Sequence, residues 1–195
     1  MSSRRDIKVI IIGGSAGSYN VVRSILSSIP ADFHLPVVMC LHRLRDVRSG
    51  FAESLNISSN LPVREAQDKD ELQPGVVYLS PANYHLYIER DMSIALSTHE
   101  EIHYSRPSID LTFETAGFSL GGAMAGILLS GTNRDGSKGL YSAYRRGAFT
   151  VVQDPGNAQF GIMPAEALTY FKPHLILTDT EISEFVNSLK DNVYA

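Results

Sequence analysis

The sequence predicts an α/β domain of three αβα layers: a doubly wound, mostly parallel sheet with helices on both faces and an antiparallel hairpin at one edge. Three observations carry this. Short apolar runs alternate with helix-period segments along nearly all 195 residues, which is the pattern of βαβ units. One stretch breaks the alternation: residues 85–89 and 93–97 flank Arg90 and Asp91 and read as two arms of a hairpin. The length suits a single domain over residues 1–195, and a chain of this size buries roughly 70% of its unfolded surface, enough for a core without staples.

In chain order, residues 7–12 read as a buried strand and residues 18–29 as a helix, because Val21, Val22, Ile25, Leu26 and Ile29 share one face. Residues 36–41 form a second strand-like run, and residues 48–57 a short helix. Residues 61–66 and 76–79 read as strands around the turn signal Pro74-Gly75. After the hairpin, residues 107–120 are helical, with Pro107 near the first position, where a missing N–H costs nothing. Residues 123–129 make a strongly apolar strand, 137–146 a helix, 149–153 a strand, 164–171 a helix and 175–177 a strand. Residues 178–190 close the chain as a helix with Ile182, Phe185, Val186 and Leu189 on one face.

Composition narrows the function. The net charge of −4 argues against a nucleic-acid partner, which demands a basic surface to displace counterions. A single cysteine, Cys40, rules out an intrachain disulfide and the framework of a small secreted domain. The apolar run at 9–12 is too short for a signal peptide or a membrane span, so cytoplasmic residence without membrane insertion is expected.

In an α/β sheet, sites form at the carboxyl ends of strands. The first strand runs into Gly13-Gly14-Ser15-Ala16-Gly17 and then a helix, which is G-x-S-x-G in a strand–turn–helix setting. Such a turn exposes a serine hydroxyl beside helix N–H groups that favour a developing oxyanion. The same residues also suit a plain turn in which Ser15 or Ser18 caps the helix, or a phosphate-binding turn, although G-x-G-x-x-G does not fit. A nucleophilic serine needs a base, and the base an orienting acid. His42 follows the second strand and falls on the same rim. Asp135 lies in the turn after the strand at 123–129, where it can reach an imidazole or simply cap the next helix.

These residues sit in a larger pattern: Ile12-Gly13-Gly14-Ser15-Ala16-Gly17, Leu41-His42, Pro74-Gly75-Val76-Val77-Tyr78-Leu79-Ser80-Pro81, Arg106-Pro107-Ser108-Ile109-Asp110, Ser130-Gly131-Thr132-Asn133-Arg134-Asp135-Gly136, Gln153-Asp154-Pro155 and Met163-Pro164. In this order the segments resemble the catalytic domain of the chemotaxis protein-glutamate methylesterases, the CheB family, over about residues 7–171. The resemblance implies a Ser15-His42-Asp135 triad that hydrolyses glutamate γ-methyl esters, and in some members deamidates glutamines, on the cytoplasmic helices of methyl-accepting chemoreceptors. It implies no cofactor. It places an oxyanion N–H at Thr132, with Ala16 as the expected second donor, and sets Arg106 and Asp110 along the cleft, although the two residues equally suit a structural ion pair. The family's Thr and Gly-Gly after the nucleophile are replaced by Ala16 and Gly17-Ser18, and its Met and second Gly before the aspartate by Thr132 and Asn133. The regulatory receiver domain of the family is not expected, since about six residues precede the first strand.

Arg43, Arg45 and Arg48 follow the base and read either as a solvated loop or as a basic rim for an acidic helix. His99-Glu100-Glu101-Ile102-His103 matches H-E-x-x-H, but it follows a strand and is soon interrupted by Arg106-Pro107, so no metal site is expected. Cys40 shares its strand face with His42 and is expected to be a buried core thiol.

Overall fold

The computed structural model describes residues 7–43, 50–102 and 105–190. A seven-stranded parallel sheet has the order β3-β4-β2-β1-β7-β8-β9, with β1 (Val9–Gly14), β2 (Val37–Leu41), β3 (Val63–Glu65), β4 (Val77–Leu79), β7 (Met124–Leu128), β8 (Phe149–Gln153) and β9 (Leu175–Leu177). β1 lies at the centre, pairing with β2 on one side and with β7 on the other. From β1 the chain passes through β2 to the edge strand β3 and inserts β4 between those two, then returns to β7 on the other side of β1 and winds outward through β8 and β9. The crevice at the carboxyl ends beside β1 is therefore the topological switch point.

Both sheet faces are covered, which explains why the strands read as continuous apolar runs rather than alternating ones. Ile10 and Ile12 of β1 pack into one core with α1 (Tyr19–Ser28) and α6 (Asp179–Ser188). Val9 and Ile11 pack into the other with α3 (Ile109–Leu120), α4 (Ser137–Arg145) and α5 (Ile162–Tyr170). A short helix, α2 (Phe51–Asn56), packs beside β3. Every predicted element is present, with ends trimmed by a few residues. The helix expected at 164–171 starts two residues earlier, because Pro164 sits in its first turn, where the N–H has no intrahelical acceptor anyway. Pro107 lies just outside α3, whose N-cap is Ser108.

The antiparallel hairpin, β5 (His85–Ile88) and β6 (Ile94–Ser97), forms a sheet of its own instead of extending the ladder of the main one. It docks on α3. Thr112 Oγ1 donates to Leu86 O at 2.9 Å, Ser119 Oγ donates to Ile88 O at 2.8 Å, and Ile88 N–H donates to Thr115 Oγ1 at 3.3 Å. One row of helix hydroxyls thus satisfies the open edge of β5, a polar liability that hydrophobicity patterning does not register.

α3 and α4 touch at the level of the switch point. A Cβ built on Gly139 would lie 2.2 Å from Asp110 O, and Gly139 N–H donates to Asp110 Oδ1 at 2.7 Å. Only a residue without a side chain permits this approach. Gly139→Ala is expected to force α4 away from α3 and lower stability by about 1–3 kcal/mol, read from urea denaturation against the wild type.

Candidate active site

Ser15, His42 and Asp135 leave the carboxyl ends of β1, β2 and β7 at the switch point. Gly14 pairs with Leu41 in the β1–β2 register, and His42 N–H donates to Gly14 O at 3.0 Å. Ser15 and His42 are therefore neighbours across the strand ends. The turn carrying Ser15 is tight: Ser18 N–H and Ser18 Oγ both donate to Ser15 O, at 3.1 and 2.7 Å. Gly17 holds φ +81, a left-handed conformation disfavoured for side chains, and a Cβ there would meet Ser130 Oγ at 2.7 Å. Ser18 is the N-cap of α1, but its hydroxyl makes no capping bond and turns back to the serine turn instead.

His42 Nε2 lies 2.8 Å from Asp135 Oδ2. The carboxylate is buried, with a side chain 0% exposed, and it accepts from three further groups. Ser108 Oγ donates to Oδ1 at 3.0 Å, Ile109 N–H to Oδ2 at 2.7 Å and Asp110 N–H to Oδ1 at 2.9 Å. These donors are the N-cap and first turn of α3, where N–H groups have no intrahelical acceptor and the helix end is positive. Burial pushes the Asp135 carboxyl up, but the His42 hydrogen bond and the Asp110 and Ile109 amides outweigh it and hold the group below the usual carboxylate range. Asp135 thus stays an acceptor. His42 must carry its proton on Nε2, leaving Nδ1 as the basic nitrogen.

Asn133 Oδ1 accepts from Asp135 N–H at 3.1 Å, which directs Nδ2 to His42 Nδ1 at 3.4 Å. Its backbone φ is not positive, so asparagine serves here through its amide rather than through conformational tolerance. Ser15 Oγ makes no hydrogen bond to any described residue in this resting arrangement. Ala16 and Thr132 are exposed residues whose backbone N–H groups donate to no acceptor among the described residues. A cavity of about 470 Å³ opens on the Thr132 and Asp135 side, lined by Asp110, Thr132, Asn133, Asp135, Lys138 and Tyr170 among others; Ser15, Ala16 and His42 do not line it. A larger cavity of about 710 Å³ lies between the hairpin and α3, around Phe118, Arg90 and Arg146, and includes none of the predicted site residues.

The remaining candidates divide. Asp110 is in the cleft wall, its carboxylate committed to Gly139 N–H and its own N–H to Asp135. Arg106 does not line that cavity: its Nη1 donates to Thr98 O and His99 O, at 2.8 and 2.9 Å, and it borders a second cavity with Glu65 and Tyr84. Arg43 is not a free rim charge. Its side chain is 3% exposed, bonded to Ser80 O and to Glu65 at 2.8 Å each, and it packs over Phe51. Its charge is spent inside the protein because Glu65 ends β3 directly beneath it. Arg45 and Arg48 lie outside the described residues, as does His103. Among the described residues no group of three His, Cys, Asp or Glu side chains is close enough to hold a metal ion. No helix among them is long and apolar enough to cross a membrane. Cys40 is buried in the α3-side core, and burial pushes its thiol up to about 12, so it is an inert neighbour.

Ser130 is a structural member of the site that sequence reasoning passed over. Its carbonyl accepts from Ser15 N–H at 2.9 Å, its hydroxyl donates to Ala16 O at 2.9 Å, and that hydroxyl accepts from Phe160 N–H at 2.9 Å. It ties the serine turn to the end of β7 and to the loop before α5. Only its place directly after a buried strand hints at this.

Asp135 also gives a stability signature. A carboxylate whose folded pKa is depressed contributes stability that is fully present above its unfolded pKa of about 4 and is lost as pH falls through the lower folded value. Asp135→Asn removes that dependence. Denaturation followed from about pH 5 to about pH 2 is expected to show the wild type losing stability more steeply than the variant.

A family model described as CheB methylesterase matches residues 10–186. A protein of Leptospira interrogans serovar copenhageni, named for protein-glutamate methylesterase and protein-glutamine glutaminase activity, is 36% identical over 187 residues, covering 96% of this chain and 97% of its own. The protein-glutamate methylesterase/protein-glutamine glutaminase 2 of Methanospirillum hungatei is 34% identical over 96% of this chain, which spans 53% of that protein. The crystal structure of the Thermotoga maritima CheB methylesterase catalytic domain superposes with a TM-score of 0.86 at 26% identity, covering 94% of this chain and 98% of that one. With the family model spanning nearly the whole fold and a relative 36% identical over 96% of the chain, this chain belongs to the CheB methylesterase family.

Proposed function

We propose that this protein is a cytoplasmic serine hydrolase that removes methyl groups from glutamate γ-methyl esters on chemoreceptor helices during chemotaxis adaptation, and deamidates glutamines at such positions. The observation that carries this reading is the buried His42–Asp135 hydrogen bond of 2.8 Å on the strand end next to Ser15.

The chemistry follows from the proton positions. With Nε2–H donated to Asp135, His42 Nδ1 is the base that takes the Ser15 proton as Oγ attacks the ester carbonyl. The Asn133 amide must leave Nδ1 at this step, because the nitrogen has one lone pair to offer. The oxyanion is received by the N–H groups of Ala16 and Thr132, which have no competing acceptor. Collapse breaks the ester C–O bond, and the imidazolium returns its proton to the departing methoxide, giving methanol and an acyl-serine. Water, deprotonated by His42, then attacks the acyl carbon, and the collapse restores Ser15 and releases glutamate. With a glutamine substrate the first leaving group is ammonia. Asp135 fixes the ring and stabilises its cation throughout.

The test is methanol release from methylated receptor, with fluorophosphonate labelling in parallel. Ser15→Ala and His42→Ala are expected to abolish turnover, and His42→Ala to abolish labelling of Ser15. Asp135→Asn is expected to lower kcat by up to about 10⁴-fold, since an amide at that place stabilises the wrong tautomer. Methanol release that survives Ser15→Ala, or a wild type that fails to label, overturns the reading. The resting Ser15 hydroxyl, unbonded to His42, favours one other reading, a catalytically silent binding module, and absent labelling would support it.

A further inference from the structure

Outside the triad, one buried titratable side chain is committed through both ring nitrogens. His85 opens β5 and is 0% exposed. Ser108 N–H points at its Nδ1 from 3.2 Å. A backbone amide can only donate, so Nδ1 is the bare nitrogen and the ring proton sits on Nε2. From there it donates to Glu100 O at 2.9 Å.

Ser108 is the N-cap of α3 and the first of the three consecutive residues that hold the Asp135 carboxylate. Its own N–H has no acceptor in the helix, and leaving it buried and unpaired would be costly. His85 Nδ1 is the acceptor it finds. We propose that His85 is a positioning residue for the hydrolytic site, fixing Ser108 and so the Asp135 carboxylate against which the His42 ring is aligned; the inference rests on the triad reading above. The hairpin that carries His85 is then part of the scaffold of the site, although it contributes nothing to the cleft wall. Without this acceptor the buried Ser108 amide loses its partner, and any shift it makes is passed to the Asp135 carboxylate, which Ser108 Oγ holds at 3.0 Å. A shift of about 1 Å there is enough to cost up to about 10²-fold in rate.

Two substitutions separate the two halves of the ring. His85→Asn keeps an oxygen acceptor where Nδ1 stands and loses the reach to Glu100. His85→Gln keeps a donor where Nε2 stands and loses the acceptor for Ser108. Measured on methylated receptor, His85→Asn is expected to hold kcat within about threefold of wild type. His85→Gln is expected to lose about 10- to 10²-fold in kcat while KM changes by less than about twofold. The reverse order, with Gln active and Asn impaired, assigns His85 to pinning the Glu100 loop and overturns the proposal, as do two variants of equal activity. Nitrogen-15 NMR of the wild type reads the ring directly, even if neither variant folds. A bare Nδ1 scalar-coupled to the Ser108 amide is expected, and a proton on Nδ1 overturns the proposal. That measurement needs no turnover, so failure of the triad reading, seen as methanol release indifferent to Ser15→Ala, remains a separate result.

Discussion

A single buried carboxylate organises this protein. Asp135 has four donors around two oxygens, and three of them belong to the start of one helix. Its charge compensates unpaired N–H groups that would otherwise be buried at that helix end, while the helix keeps it ionised despite burial. The two needs answer each other, and the imidazole is drawn to the remaining acceptor position. Around this point the sheet order does the rest: placing β1 between β2 and β7 brings three distant turns to one crevice.

Much of the fold was legible in the sequence because its strands are buried on both sides and its helices are amphipathic. Val9 to Ile12 and Val37 to Leu41 are uninterrupted apolar runs, and such runs mark a parallel sheet covered by helices. The hairpin was legible as a pair of arms, but not in its placement. What seats it is the row Thr112, Thr115 and Ser119 on α3, whose hydroxyls reach backbone groups of β5. Local pattern records that those residues are small and polar; it does not record which strand they face.

The site divides in the same way. Ser15, His42 and Asp135 were legible as one rim because each follows one of three neighbouring strands of the sheet. Arg43 stood in a run of arginines that suggested a displayed charge, yet Glu65, Ser80 and Phe51 enclose it. Its two polar partners, Glu65 and Ser80, lie more than twenty residues away along the chain. Asn133 and Ser130 were underread for a related reason. Each works through a hydrogen bond to another loop, a relation that no spacing rule encodes.

The placement of β7 beside β1 has a consequence for how the protein comes into being. Ser15 and His42 are synthesised before the carboxylate that holds the imidazole, which follows His42 by more than ninety residues on the far side of a long-range parallel pairing. Such pairings form slowly, since the loop between the strands must close before any contact rewards it. A nascent chain or an amino-terminal fragment ending before β7 therefore carries the hydroxyl and the ring without the carboxylate that holds the ring in place.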